Sequence, residues 1–182
     1  MFNLNLNPMI PFEKPLKYGL IAGLIVIVLM VILYAANISM FNPIIGSLVG
    51  LISFGAPIVF AVIAINKLRD EDLGNKITYL QSFIAGFAVL LIAMYLNNIY
   101  AYIQNGVIDP EYMAQKADDF ILTMEGKVPE ETLDAIIESF SESLNAGKAF
   151  VKSLWLSPLI AIGLSAIISF FIKKDKTLEK IG

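Results

Sequence analysis

Residues 18–65, YGLIAGLIVIVLMVILYAANISMFNPIIGSLVGLISFGAPIVFAVIAI, are the most informative part of the chain, because none of these 48 residues is Asp, Glu, Lys or Arg. A water-soluble protein of 182 residues could not hide so long an uncharged stretch from solvent. The whole chain is 57% apolar and 16% charged, which is too apolar for a soluble domain of this length. The sequence therefore predicts an integral membrane protein.

The apolar residues form four segments that are long enough to cross a bilayer. At 1.5 Å per helical residue, about 20 residues cross a hydrocarbon core of about 30 Å. Asn37 and Pro43 divide the opening stretch into two spans, and the charged residues 66–76 precede the third span. The first run is longer than the apolar part of a signal peptide and lacks a small-x-small cleavage pattern, which favours an uncleaved anchor. The predicted spans are residues 18–36, 44–65, 77–103 and 151–172.

The basic residues predict the orientation of the chain. Nine of the thirteen Lys and Arg residues fall on one face, whereas the segment between the third and fourth spans holds ten acidic residues and four lysines. Because loops rich in Lys and Arg stay in the cytoplasm, both termini are predicted to be cytoplasmic. The nine basic residues are Lys14, Lys17, Lys67, Arg69, Lys76, Lys173, Lys174, Lys176 and Lys180.

Between residues 105 and 148 the pattern becomes amphipathic. Asp109-Pro110 and Pro129-Glu130 are typical helix starts, and Gly126 is a typical helix end. The apolar residues that recur at helical spacing are Met113, Ala117, Phe120, Ile121 and Met124, and then Leu133, Ile136, Ile137, Phe140 and Leu144. The sequence therefore predicts an all-α fold: a four-helix membrane bundle, with an extracytoplasmic helical hairpin over residues 105–148. Residues 1–104 contribute an interfacial segment and three spans, and residues 149–182 the fourth span and a basic tail.

We expect the two apolar stripes of the hairpin to pack on each other and on the outer mouth of the bundle. The alternative is a groove that docks a helix or peptide of a partner. Burial in the lipid interface is disfavoured, since interfacial helices usually carry Lys and Arg opposite their apolar face and these helices carry mainly Asp and Glu. The candidate docking residues are Met113, Phe120, Ile121, Met124, Leu133, Ile136, Ile137 and Phe140.

Several kinds of chemistry are missing from the sequence. The chain has no Cys and no His, which removes thiolate nucleophiles, imidazole bases and the usual zinc, haem and iron–sulfur ligands. Between their boundary residues the predicted spans contain no acid or base, since Lys152 lies at the very start of the fourth span, and this disfavours a proton- or ion-coupled transporter. Phosphate loops and hydrolase motifs are absent, and the basic residues form no nucleic-acid module. We expect no enzyme activity, no cofactor and no nucleic-acid partner.

Polar residues within the spans are few. Gln81, Asn97 and Asn98 are the main ones, and each is expected to form a hydrogen bond between helices. A role in permeation or in binding a lipid headgroup is the alternative.

Small residues at four-residue spacing occur in all four spans. Such residues allow close approach of helix backbones in lipid, where hydrophobicity no longer drives association. Packing within the chain is expected, and homo-oligomerisation is the alternative. The residues are Gly19 and Gly23, Gly46 and Gly50, Ser82 and Gly86, and Ala161, Ser165 and Ser169.

These features resemble a bacterial membrane-protein family catalogued as domain of unknown function 4199. The resemblance implies four spans in the inner membrane of a Gram-negative bacterium, with both termini cytoplasmic and the hairpin periplasmic. It implies no site residue. It rests on Lys17-Tyr18-Gly19, Gly74-Asn75-Lys76-Ile77, Gly86, Ile99-Tyr100, Ile108-Asp109-Pro110-Glu111, Pro158 and Lys173-Lys174.

Three functions are compatible with the sequence. The leading hypothesis is a non-catalytic accessory subunit that presents the periplasmic hairpin to another membrane or periplasmic protein. The second is a small uncoupled transporter or lipid-handling protein, with a polar path or headgroup pocket near Gln81, Asn97 or Asn98. The third comes from the resemblance, because genes of this family often lie near one for a polyprenyl-phosphate sugar transferase. In it, a cytoplasmic face that includes Lys67 and Arg69 anchors that transferase at anionic lipid.

Overall fold

The computed structural model describes residues 10–172, apart from the side chains of residues 141–143. In this part of the chain it contains six α-helices: α1 (Glu13–Ala35), α2 (Pro43–Lys67), α3 (Tyr79–Ile103), α4 (Tyr112–Met124), α5 (Glu130–Ser143) and α6 (Ala146–Ile172). Single π-helical turns, Leu68–Asp72 and Gln104–Ile108, extend α2 and α3. The predicted basic tail, with Lys173, Lys174, Lys176 and Lys180, lies outside the described residues.

The membrane helices α2 and α6 begin after asparagine residues that cap them. The side chain of Asn42 accepts hydrogen bonds from the backbone N–H groups of Ile44 and Ile45, and Pro43 takes the first helical position of α2. Asn145 accepts from Lys148 N at 2.9 Å, so α6 begins at Ala146 rather than at residue 151. Residues 146–150, which were expected to precede the fourth span, are therefore the first residues of α6.

Four of the helices, α1, α2, α3 and α6, are long and apolar enough to cross a membrane. This confirms the prediction of an all-α fold with four spans. α3 lies at the centre of the bundle, where it packs against α1, α2 and α6, while α2 and α6 contact each other only sparsely. Small and branched residues fill the core, and those that are fully buried include Ala61, Ala64, Ile65, Ala85, Val89, Leu90 and Ala161.

The short helices α4 and α5 form the predicted hairpin, which covers one end of the bundle. Gly126, with φ +72°, ends α4, and Pro129 precedes α5. The hairpin lies beside the loop between α1 and α2, so we call this the hairpin end. The opposite end holds the loop of residues 68–78 and is called the charged-loop end.

Candidate ligand cavity

Close packing of α1 on α3 depends on two glycines. A Cβ atom added to Gly19 would lie 2.9 Å from Ile92 Cβ, and one added to Gly23 would lie 2.8 Å from Leu96 Cδ1. Both distances are shorter than real Cβ contacts allow. The structure therefore places this motif between two helices of one chain.

The contact between α3 and α6 also uses small residues. A Cβ atom on Gly86 would lie 2.9 Å from Ser165 Oγ, and that hydroxyl donates a hydrogen bond of 2.6 Å to the Phe83 carbonyl. Ser165 is fully buried. The other small residues predicted here, Ser82, Ala161 and Ser169, are fully buried as well.

Gly46 and Gly50 require a correction, since they do not pack against another helix among the described residues. A Cβ atom on Gly50 would have no atom within 4 Å, and one on Gly46 would meet only the Met40 backbone. Gly46 instead allows the α1–α2 loop to approach the start of α2. The expected packing within the chain is therefore not found for this pair, because the space beside Gly50 is open.

The hairpin stripes are largely occupied by internal packing. The rings of Phe120 and Phe140 lie 6.0 Å apart between centroids, and Phe41 of the α1–α2 loop lies 6.0 and 4.9 Å from them. Ile137, by contrast, is 42% exposed. The half-buried stripe residues are Met113, Phe120, Ile121, Met124, Leu133, Ile136 and Phe140.

Three cavities surround the hairpin-end half of α3, and neighbouring cavities share lining residues. The tyrosine cavity, of about 220 Å³, is lined by Met30, Leu33, Tyr34, Met40, Asn97, Tyr100, Ala101, Gln104, Asn105, Tyr112 and Met113. The α2–α6 cavity, of about 310 Å³, is lined by Val26, Met30, Ser53, Phe54, Pro57, Ala93, Met94, Asn97, Asn98, Ser153, Leu156, Ser157 and Ile160. A third, of about 250 Å³, includes Asn98, Asn105 and Phe150.

The α2–α6 cavity contains polar atoms without protein partners. Ser53 Oγ and Asn97 Oδ1 are two of the four buried side-chain polar atoms in the described part of the chain that have no hydrogen-bond partner. Pro57 adds to them, because it has no N–H to donate to the carbonyl of Ser53 four residues earlier. Asn98 is satisfied, since its Nδ2 donates to Ser157 Oγ at 2.9 Å. Such unpartnered groups cost about 1–3 kcal/mol each unless water or a ligand pairs with them.

A hydrogen-bonded cluster forms one side of the tyrosine cavity. Tyr34 donates its hydroxyl proton to Asp109 Oδ2 at 3.1 Å, and Asp109 Oδ1 accepts from Tyr112 N, also at 3.1 Å. Tyr112 donates to the Ile38 carbonyl. Burial, together with the nearby Tyr34 and Asp109, raises the pKa of Tyr112, so its hydroxyl stays neutral near pH 7. Asp109 thus joins α4 to α1, but α4 begins at Tyr112 and not at Pro110 as predicted, because residues 110 and 111 form a turn.

The remaining polar candidate, Gln81, lies away from these cavities. The side-chain oxygen Oε1 of Gln81 accepts a hydrogen bond from Thr78 N at 3.1 Å, and the backbone N–H of Gln81 donates to Thr78 Oγ1. These two reciprocal bonds form a capping box at the start of α3. The Thr-x-x-Gln spacing could have shown this role in the sequence. Gln81 is therefore a helix cap and lies outside the candidate site.

The charged-loop end holds ion pairs. Lys14 of α1 lies 3.3 Å from Glu71 Oε2 and also bonds Asp72, which fixes the π-helical turn to the first helix. Among residues 10–172, no cluster of three or more acidic residues could hold a metal ion.

Comparison with known proteins identifies the family. A family model described as "Protein of unknown function (DUF4199)" matches residues 17–174. The chain belongs to the DUF4199 family. This confirms the resemblance drawn from the sequence. No match to this DUF4199 chain was found among the curated proteins or among the solved structures.

Sequence reasoning named Asn97 and Asn98 but could not identify the other cavity residues. Ser53 had no distinguishing signal of its own, although a proline four residues after it was visible. Tyr34 and Tyr100 lie near the ends of predicted spans, where tyrosine is common at the membrane–water boundary. Their grouping depends on how α1, α3 and α4 meet in three dimensions.

Proposed function

We propose that this protein is a multi-pass membrane protein that binds a lipid in the α2–α6 cavity. The observation that carries the proposal is that Ser53 and Asn97, which line a cavity with otherwise mainly apolar walls, each carry a buried polar atom without a protein partner, Ser53 Oγ and Asn97 Oδ1. An apolar cavity with a few placed polar groups is typical of ligand sites. An amphipathic molecule satisfies both features, since its chain contacts the walls and its polar group pairs with the two atoms.

The shape of the bundle supports a ligand that enters from the bilayer. α2 and α6 flank the cavity and contact each other sparsely. Phe54 on α2 and Leu156 on α6, which line the cavity, are 52% and 48% exposed. A lipid chain could therefore lie between these helices without displacing the packed core around α3.

The other two hypotheses remain predictions. The accessory-subunit hypothesis needs a free apolar face on the hairpin, whereas most stripe residues pack on each other or on Phe41. The transferase-anchor hypothesis relies on basic residues, several of which lie in ion pairs with Glu71 or Asp70. Lipid binding needs no catalytic group, so we propose a non-catalytic role.

We further infer that the hairpin faces the outside of a bacterial inner membrane and that both termini are cytoplasmic. The described basic residues at the charged-loop end, Lys14, Lys17, Lys67, Arg69 and Lys76, support this orientation through the positive-inside rule.

Lipid that co-purifies with the protein tests the proposed function. We expect the protein purified in mild detergent to retain bound lipid in native mass spectrometry. Asn97→Leu should lower the retained lipid severalfold, because it removes the unpartnered acceptor while keeping a side chain of similar shape. Ser82→Ala is the matched control, since Ser82 Oγ is also buried and unpartnered but lies outside the cavities described above. Equal lipid retention by wild type and a folded Asn97→Leu protein would contradict the proposal.

A further inference from the structure

The tyrosine cavity presents aromatic rings suited to a positively charged group. Tyr34, Tyr100 and Tyr112 line it, and the rings of Tyr34 and Tyr112 meet edge to face with centroids 4.9 Å apart. The faces of such rings attract ammonium groups, and cages of several aromatic residues bind quaternary ammonium. Tyr112 already attracts one ammonium group, because Lys116 Nζ lies 5.8 Å from its ring centroid. Lys116 is not among the residues that line the cavity.

The hydroxyl protons of the three tyrosines are already used within the protein. Tyr34 donates to Asp109, Tyr112 to the Ile38 carbonyl, and Tyr100 to Gln104 Oε1. Each hydroxyl therefore keeps only its oxygen lone pairs for a ligand. Asn97 Oδ1, which lines the same cavity, is a further acceptor without a partner. The free lone pairs therefore suit a ligand with hydrogen-bond donors, which a primary ammonium group supplies.

Charge favours the same kind of ligand. Among the described residues that line the tyrosine cavity there is no lysine or arginine, and the only other donors are the neutral side-chain amides of Asn97, Gln104 and Asn105. The carboxylate of Asp109 lies directly behind Tyr34, at 3.1 Å from its hydroxyl. A carboxylate near the cavity favours a cation in it over an anion. The ammonium of Lys116, which lies near the Tyr112 ring, is itself paired with Asp119 at 4.0 Å.

We propose that the tyrosine cavity binds the ammonium group of a lipid headgroup, while the lipid chain lies in the α2–α6 cavity. The two cavities share Met30 and Asn97, so one amphipathic molecule can occupy both. This inference rests on the proposed function and adds the headgroup class to it. An anionic headgroup, such as that of phosphatidylglycerol, gains neither the aromatic contacts nor the attraction of Asp109.

Headgroup preference tests the proposal on the full chain. The delipidated protein is mixed with equal amounts of four lipids that share the same acyl chains: phosphatidylethanolamine, phosphatidylcholine, phosphatidylglycerol and N-acetyl phosphatidylethanolamine. Native mass spectrometry then compares the bound species. We expect phosphatidylethanolamine, which offers both a positive charge and hydrogen-bond donors, to exceed phosphatidylglycerol and the N-acetyl lipid by about fivefold, the factor that one cation–π contact supplies. Phosphatidylcholine should also exceed these two lipids, through its charge alone. The N-acetyl lipid lacks the positive charge of phosphatidylethanolamine, so comparing these two lipids tests the charge while the protein stays the same.

Asp109→Asn tests the role of the carboxylate. It should reduce the preference for ammonium lipids while total bound lipid remains similar. Asp118→Asn is the matched control, because it removes the same charge from an exposed residue of α4. If Asp109→Asn does not fold, the comparison of the four lipids on wild type decides the proposal alone.

The outcomes separate this inference from the proposed function. Equal binding of all four lipids would overturn the ammonium site and leave lipid binding intact. Absence of any bound lipid would overturn both. Binding of free ethanolamine or choline at millimolar concentration, with no lipid retained, would also overturn the proposal, since it would assign the cavity to a soluble amine. A wild-type preference unchanged by Asp109→Asn would refute the role assigned to that carboxylate.

Discussion

Gly19 and Gly50 belong to the same kind of motif but have different surroundings. A Cβ atom on Gly19 would lie 2.9 Å from Ile92 Cβ and 3.1 Å from the Val89 carbonyl oxygen, neither of which can rotate away. A Cβ atom on Gly50 would meet nothing within 4 Å. A pair of small residues four positions apart therefore allows two helices to pack closely, but it does not show that a second helix is there.

Alanine substitutions at these two positions should have different effects on stability. We expect Gly19→Ala to lower the free energy of unfolding by about 1–3 kcal/mol, because the added methyl group overpacks the α1–α3 contact. Gly50→Ala should be neutral or stabilise by up to about 1 kcal/mol, since Ala favours the helix more than Gly does. Thermal unfolding in one detergent measures both. Equal melting temperatures for the two variants would contradict the assigned α1–α3 contact.

At the scale of elements, two prolines release carbonyl groups in different surroundings. Pro158 has no N–H for the carbonyl of Leu154, and Tyr95 of α3 donates its hydroxyl to that oxygen at 3.2 Å. Pro57 likewise has no N–H for the carbonyl of Ser53, a residue that lines the α2–α6 cavity. The first proline is therefore compensated by a contact between helices, whereas the second adds an acceptor to the candidate site.

The hairpin is joined to the bundle chiefly through aromatic contacts of the α1–α2 loop. We expect Phe41→Ala to loosen α4 and α5, because it removes a ring that contacts both Phe120 and Phe140. Limited proteolysis should then cut the hairpin several times faster, while the membrane helices keep their melting temperature. Ile44→Ala is the control, since Ile44 is 72% exposed. Unchanged cleavage of the Phe41→Ala hairpin would show that other contacts hold it.

At the scale of the whole molecule, charge is divided between the two ends of the bundle. The charged-loop end carries basic residues with their acidic partners, and the hairpin carries mainly Asp and Glu. Because the chain has no Cys, a single introduced cysteine can report the side of the membrane without background.

Single-cysteine labelling tests the proposed orientation. We expect Lys127→Cys, in the hairpin, to react with a membrane-impermeant maleimide in intact spheroplasts. Lys76→Cys, at the charged-loop end, should react only after the membrane is permeabilised. Both variants replace a lysine with a cysteine, so each serves as the control for the other. Labelling in the opposite order would place the hairpin in the cytoplasm.

The polar residues show where prediction from the sequence stops. Asn97 and Asn98 were equivalent in the sequence, as uncommon polar residues in an apolar span, whereas the Thr-x-x-Gln spacing distinguishes Gln81. Gln81 caps a helix, Asn98 pairs with Ser157 on α6, and Asn97 Oδ1 has no partner. Only the partner across the bundle distinguishes Asn98 from Asn97, and that partner lies about 60 residues away in the chain.

The sequence by itself determined that the chain spans the membrane four times and carries a helical hairpin between the last two spans. It could do so because hydrophobic length and helical spacing are local properties, read within about 20 residues. The tertiary structure alone decided which glycines are packed, that Tyr34, Tyr100, Tyr112 and Asp109 meet, and that Ser53 and Asn97 face one cavity. These depend on the rotation and separation of helices about α3, which result from side-chain packing between distant segments.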